Sequence, residues 1–590
     1  MSKVLEIQQF LNADDTAKII QYYYDNWSSQ RDGWVAEKKE LRNYIFATDT
    51  TKTTNSKLPW KNSTTLPIIC AIRDRLHALY MAALGEDSRK WFDWVATDPE
   101  ADLKRDREVR VGYIQAKWQD SDAWSIISDL VYDYIDYGNV YATVRPEFQY
   151  AINETTGQVE PTYTGPRLVR TDPMAHIINP TSESYLKTPK ITRYIKSLGE
   201  LLDDVEFQND VYQYDTDVIE HIQAVRRGLQ HYNKMDVDKA VGYQIDGFGS
   251  YHSYITSGYV ELLEFEGDLY DTTTGELRRN RLITIVDRQW VLRDIPNPSW
   301  LANGGRCSVT WRDRPDNLIG MGPLDNLVGA QYRIDHLENL KADAMDLMVL
   351  PPLLVIGDVE EFDYQPGEKI FTGIEGRVEF LRTDLGPLIQ ATNDISFLID
   401  KMEEAAGAPK TKSGFRTPGE KTAVEVQLLQ NNADVLFKSK MIKFSKHILE
   451  PALNMYLELG RRYMQGQELI KVFDEAEELE SFIQITKEDL RGSGKLVPLG
   501  PQHYAEKSQL IQNMSQVLQL GAALPQVMNH VSGKRLAQII FEDGLNHMEV
   551  VKDNIAIFEQ AETQRLANTA QDLVNRESIT PTENPNALIG

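Results

Sequence analysis

The chain has 590 residues, which at roughly 150 residues per domain points to about four domains, and a hydrophobic content of 42% excludes a disordered chain. Its 63 basic and 88 acidic residues leave a formal charge of −25. That is the wrong sign for a protein that grips nucleic acid with its whole surface, though not for one that lets DNA slide past.

At the N-terminus, MSKVLEIQQF has no apolar core of signal-peptide length, so no secretion signal is expected. Asp14 and Asp15 are candidate caps for a helix carrying Ile19, Ile20, Tyr23, Trp27 and Trp34. A second helix is predicted from Ile68 to Leu84, stopped by Gly85. A third is predicted from about Asp102 to Tyr137, charged at its start and apolar later, ending at Gly138-Asn139. From about Val140 to Val309 the pattern becomes short β segments separated by turns such as Thr272-Thr-Thr-Gly275, with a helical insertion near Thr216 to Tyr232.

Beyond Trp311 the helical period returns. Gly322-Pro323 opens a long apolar stripe from Leu324 to Met348 that ends at Pro351-Pro352. The apolar run Leu347 to Ile356 spans ten residues, half of the ~20 a membrane-spanning helix needs, so no membrane segment is expected. A compact turn-rich stretch reaches Gly386, and a second helix runs from Leu388 to Ala406. After a polar loop, Thr422 to Met464 reads as one very long helix bent near Pro451. Leu469 to Gly500 is short and mixed, His503 to Glu577 is helical, and Ser578 to Gly590 reads as a disordered tail.

Chemistry-bearing motifs are sparse. Arg491-Gly-Ser-Gly-Lys495 has Asp489 where a phosphate loop needs its first glycine, and Leu496 replaces the Ser or Thr that would hold magnesium; a hairpin turn is the better reading. Gly320-Met-Gly322 lacks the third glycine of a dinucleotide fingerprint. The ten histidines are scattered, and the two cysteines, Cys70 and Cys307, lie more than two hundred residues apart. They offer neither a zinc site nor a disulfide framework and fit a reducing compartment. No catalytic residue, metal ligand or cofactor site is predicted, and the chain is not expected to be an enzyme. Lys104, Arg105, Arg107 and Arg110 alternate with acids, and Arg278, Arg279 and Arg281 sit beside a turn; both groups read as solvated. The loop from Pro409 to Lys421 differs. It holds Lys410, Lys412, Arg416 and Lys421 against Glu420 alone, which is +3 within a chain of −25, and it suits either an ordinary surface loop or a cationic contact.

The order of elements from Trp311 onward carries a resemblance. A helix follows Asp316-Asn-Leu-Ile-Gly-Met-Gly-Pro323 and runs through Gln331 and Asn339. It breaks at Leu350-Pro-Pro-Leu-Leu-Val355, and a small module with Gln365-Pro-Gly-Glu368 follows. A second helix closes on Ala405-Ala-Gly-Ala-Pro409, then come the loop and a long helix opened by Thr422-Ala-Val-Glu-Val426. Upstream, the stretches Gly165 to Pro180 and Ile191-Thr-Arg193 fit the same order. This succession, over about residues 60 to 465, resembles the portal (head-to-tail connector) proteins of tailed bacteriophages, particularly short-tailed ones.

The resemblance implies an α+β, mainly helical portal fold in a ring oligomer with a central channel. It implies a wing over 1–321, stem helices at 322–350 and 388–408, a clip at 351–387 and a tunnel loop at 409–421. A long helix with a small mixed segment (422–501) would return to the wing, and a helical crown would occupy 502–577. The family assembles as a homododecamer at one capsid vertex, contacting the major capsid protein, the terminase large subunit and tail adaptor proteins. Its ring passes double-stranded DNA without reading sequence, and the protein is made in the host cytoplasm and resides in the virion. The tunnel loop then assigns DNA contact to Lys410, Lys412, Arg416 and Lys421, and the clip assigns partner contact to Glu360, Glu361, Asp363 and Glu368. Competing readings are another large virion or scaffold protein, which would not need this order, and a metal-dependent nuclease or hydrolase, which would need carboxylates clustered in space.

Overall fold

A computed structural model describes residues 15–46, 64–84, 91–97, 104–152, 159–229, 258–271, 275–299, 305–349, 353–360, 370–380, 386–407, 436–464, 466–474, 479–499 and 564–565. The chain divides into two units, Met1–Gly500 and Pro501–Gly590. Of the second only Gln564 and Arg565 are described, both helical, so the expected crown and tail otherwise lie outside the described residues.

The first unit opens on α1 (Asp15–Gln30) and α2 (Asp32–Ile45). One helix through Trp34 was the sequence expectation; instead the path breaks at Arg31. Its guanidinium is buried and donates to the carbonyls of Pro173 (3.1 Å) and His176 (2.7 Å) and to that of Met174. α3 (Ile68–Leu84) follows, then β1 (Phe92–Ala96), α4 (Lys104–Asp120) and α5 (Ala123–Asp136). Here too a single expected helix is two. Asp122 adopts φ 49°, a left-handed conformation that ends the α4 ladder and that Asp tolerates better than most residues.

The β-rich stretch is present where the turn signals placed it. β2 (Asn139–Ile152), β3 (Val159–Thr171) and β9 (Arg306–Thr310) form one antiparallel sheet in the order β3-β2-β9. β4 (His176–Ile178), β5 (Lys190–Ser197), β6 (Tyr259–Tyr270), β7 (Leu277–Val286) and β8 (Trp290–Pro296) form a second, a five-stranded antiparallel meander. Between β5 and β6 stand α6 (Leu198–Tyr212) and α7 (Thr216–Leu229). α7 matches the helical insertion. The expectation omitted α6, although Ser197 and Glu200 form a full capping box at its start.

Both faces of the meander are covered, which is why β6 buries nearly every residue from Val260 to Phe265. On one face Ile20, Tyr24 and Trp27 of α1 pack on Leu263, Phe265 and Ile283. On the other, Leu201 and Ile222 pack on Val260, Leu262 and Leu292. Each fully buried side chain of this size contributes about 1.5–3 kcal/mol. A third and larger core joins α3, α4, α5, the β2 sheet and the helices further along the chain. It includes a cluster of Trp91, Trp118 and Trp124, with ring centroids 4.9 to 6.1 Å apart.

The hairpin β10 (Arg312–Arg314) and β11 (Asn317–Met321) leads into α8 (Val328–Val349), β12 (Leu353–Ile356), β13 (Arg377–Phe380) and α9 (Gly386–Ala406). The helix expected from Gly322-Pro323 begins regularly only at Val328, after turns. Gly320 and Gly322 have a packing role: a Cβ on Gly322 would sit 2.8 Å from the Ile135 carbonyl, and one on Gly138 would sit 2.2 Å from the Gly322 nitrogen. The two glycine signals of the sequence meet backbone to backbone.

Of the long helix expected over 422–464, residues 436–444 are helical and described. They run into one wide π turn (Ser445–Leu449) and then α10 (Glu450–Tyr463). The irregularity lies just before Pro451, whose ring would crowd the carbonyl four residues earlier in a regular helix. Last come β14 (Glu468–Asp474) paired with β15 (Leu479–Ile485), and β16 (Gly494–Pro498) paired with β1. Arg491 to Lys495 is therefore not a hairpin. It leads into a strand whose partner lies some four hundred residues earlier, with Gly494 opposite Ala96.

The expectation of solvated cations on α4 also fails in part. Arg110 is 2% exposed and stacks over the Trp94 ring at 4.8 Å, while Arg107 donates to Asp93 at 2.7 Å. Arg278 and Arg281 both reach Asp294, and Arg279 is exposed as expected.

Candidate functional site: a two-helix arm and its clasp

α8 and α9 pack against each other, and between them β12 and β13 pair antiparallel, Leu353 opposite Phe380 and Ile356 opposite Arg377. A bridge between Val359 and Thr372 extends the ribbon. The bend between ladder and bridge requires glycine. Gly357 has φ 81°, and a Cβ on Gly376 would lie 2.4 Å from the Asp358 carbonyl oxygen.

Burial falls away along this arm. At its base Ile334 and Leu337 of α8 and Ile395, Met402 and Ala406 of α9 join the main core. Arg75 of α3 holds the buried carboxylate of Glu403 at 3.2 Å. Further out the apolar side chains lose their partners. Val349 is 79% exposed and Phe371 65%, Ile374 is fully exposed, and Val355, Ile356 and Ile389 are exposed as well. Scattered exposed apolar side chains are ordinary, but the concentration of them in this one arm contrasts with the buried base.

A polar ladder fixes the base. Gln331, Asp335 and Asn339 follow one another at four-residue spacing on the buried face of α8. They read the backbone of the segment before α3. Thr64 N–H donates to Asn339 Oδ1 (2.7 Å) and Leu66 N–H to Asp335 Oδ1 (3.0 Å). Asn339 Nδ2 returns a bond to the Thr64 carbonyl (3.2 Å), and Gln331 Nε2 donates to the Leu66 carbonyl (2.6 Å) and to Asp335 (2.9 Å). Asp335 Oδ2 and Gln331 Oε1 are buried without a partner among the described residues. Burial pushes the Asp335 carboxyl up to about 6, against the Leu66 and Gln331 bonds that pull it down. Sequence reading passed over this clasp; three polar residues at helical spacing inside an apolar stripe were its signal.

The structure places the predicted site residues unevenly. Glu360 lies exposed on the extended ribbon, its N–H donating to the Phe371 carbonyl at 3.2 Å. Glu361, Asp363 and Glu368 lie outside the described residues, as do Lys410, Lys412, Arg416 and Lys421. Over the whole inter-helix stretch 351–387 the sequence has eight acidic and three basic residues, net −5. Among the described residues no three His, Cys, Asp or Glu side chains gather as a metal site would require, and no helix is long and apolar enough to cross a membrane. No protein-family model matches the chain, and no curated protein matches it in sequence.

Proposed function

We propose that the chain is a portal-type subunit: a structural protein that assembles into a ring of about twelve copies at a capsid vertex and lets double-stranded DNA through. The observation that carries this reading is the arm. A helix, a β-ribbon and a second helix leave the body together, with the base anchored and the outer apolar residues uncovered in the isolated chain. A second copy alongside would cover those residues, and repetition of one heterologous contact closes a ring.

Charge fits the same reading. A wall rich in cations would hold duplex DNA with steep salt dependence, whereas a chain of −25 with a belt of four cations at Lys410, Lys412, Arg416 and Lys421 would centre it without gripping. The acidic stretch between the helices, with Glu360, Glu361, Asp363 and Glu368, is the surface offered to a packaging motor (terminase) and tail adaptor, and the body the surface offered to the capsid protein. On this reading the protein has no catalytic step of its own and acts in the virion.

Native mass measurement with negative-stain images of the full chain tests the proposal. Rings of about twelve subunits with a central hole are expected. A monomer or dimer at every salt and protein concentration tried would refute it.

A further inference from the structure

A buried ion network lies between the meander, the β2 sheet and α10, away from the arm. Glu264 accepts from three guanidinium groups, Arg145 (2.5 Å), Arg293 (2.8 Å) and Arg306 (2.9 Å). Glu266 accepts from Arg306 and from Asn297 at 3.1 Å. Behind it Lys190, 4% exposed, donates among the described residues to the Thr188 carbonyl alone (3.1 Å) and sits 4.8 Å from the Tyr185 ring centroid.

The charges do not balance. Arg145, Arg293, Arg306 and Lys190 face two carboxylates, an excess of two positive charges in a chain of −25. The flanking pairs Lys196–Asp204 and Arg462–Glu458 are each neutral and change nothing. His176 does not add to the excess: burial, then Arg306 and Lys190, holds it far below its usual value and neutral. Arg145 keeps a quarter of its side chain exposed, but Arg293, Arg306 and Lys190 are buried, and excess charge among buried groups favours an anion beside them.

The space for one adjoins the network. A cavity of about 110 Å³ is lined by four guanidinium groups, Arg145, Arg293, Arg306 and Arg462, and by three carboxylates, Glu264, Glu266 and Glu458, which leaves its wall one positive charge in excess even before Lys190 behind it is counted. Its inner wall is buried and its outer wall half-buried. Donors remain available there: among the described residues Arg145 commits only its Nη2, to Glu264 and Tyr194. Arg306 commits Nε and Nη2 but not Nη1.

We propose that this cavity binds the phosphate group of a small molecule, held by the uncommitted nitrogens of Arg145 and Arg306 with Arg462 closing the rim. Planar guanidinium groups suit such an oxyanion because they can present two parallel donors to it. The site needs neither ring formation nor the arm.

Isothermal titration of the full chain with inorganic phosphate, at constant ionic strength, tests this. Saturable binding is expected, weakened about tenfold or more in Arg145→Gln, which removes one charge-assisted donor group, with unchanged near-UV circular dichroism. Should that variant lose its fold, Arg462→Gln from the rim takes its place under the same readings. Adenosine monophosphate binding more tightly than phosphate would assign the group to a nucleotide; equal binding would assign it to the free anion. Absence of saturable phosphate binding, or a folded variant that binds like the wild type, overturns the proposal.

Discussion

The body and the arm are built from similar side chains and end in opposite states. In α10, Leu453, Tyr456 and Leu457 are almost wholly enclosed by the core. In the arm, Val349, Val355, Phe371 and Ile374 are as apolar, yet they meet solvent. The contrast is not one of composition but of what lies opposite each face: α10 has the β2 sheet, α4 and β16 around it, whereas among the described residues the outer arm has only its own second strand and helix. Apolar surface that a single chain cannot bury is a statement about partners.

That contrast can be broken from either side. The largest effect on the isolated chain is expected in the body. Leu453→Ala, at a position with no exposure, leaves a cavity and should cost about 2–5 kcal/mol, read from urea unfolding of the monomer. A loss below half a kcal/mol would mean that the body is not packed as described.

A smaller effect is expected at the clasp where the two regions join. A carboxyl with its folded pKa raised to about 6 favours the protonated form, so Asp335 weakens the fold progressively as pH climbs from ~4, its unfolded value, through 6. Below the unfolded value the penalty is absent. Asp335→Asn keeps an acceptor for Leu66 N–H and replaces the unpartnered Oδ2 with an uncharged amide nitrogen. It should therefore stabilise the protein by about 1 kcal/mol at pH 8 and change little at pH 4, as thermal melts at the two values would reveal. Destabilisation by a similar amount at both pH values would contradict the burial argument.

The contrast also explains what the sequence made legible. Periodicity located α3, α8 and α9 within a few residues, because each presents a continuous apolar stripe to one core. It ran α1 into α2 and α4 into α5, because the breaks depend on long-range or local backbone events: Arg31 finding three carbonyls some 140 residues away, and Asp122 turning left-handed. An irregularity near Pro451 was signalled as a bend, since the proline acts locally; that it takes the form of a π turn was not. The pairing of β16 with β1 was not, because pairing across the whole unit leaves no local mark; the local β14–β15 ribbon was read only as a short mixed segment with an acidic run. At the site, the helix–module–helix order was readable from the prolines and glycines that punctuate it, but not that the module is a β-ribbon. The clasp of Gln331, Asp335 and Asn339 was not, because its partner is backbone rather than any side chain the sequence displays.

The smallest effect on the monomer, and the largest on assembly, is expected at the arm. Val355→Ser, Phe371→Ser and Ile374→Ser combined should change monomer stability by no more than about 0.5 kcal/mol, as for other surface positions. Sedimentation velocity of this variant beside the wild-type chain is the most direct test of the claim that the exposed arm is an assembly surface. The account predicts a ring-sized wild-type species and a folded variant that stays monomeric. A variant that assembles like the wild type, or a wild-type chain that never assembles, would contradict it.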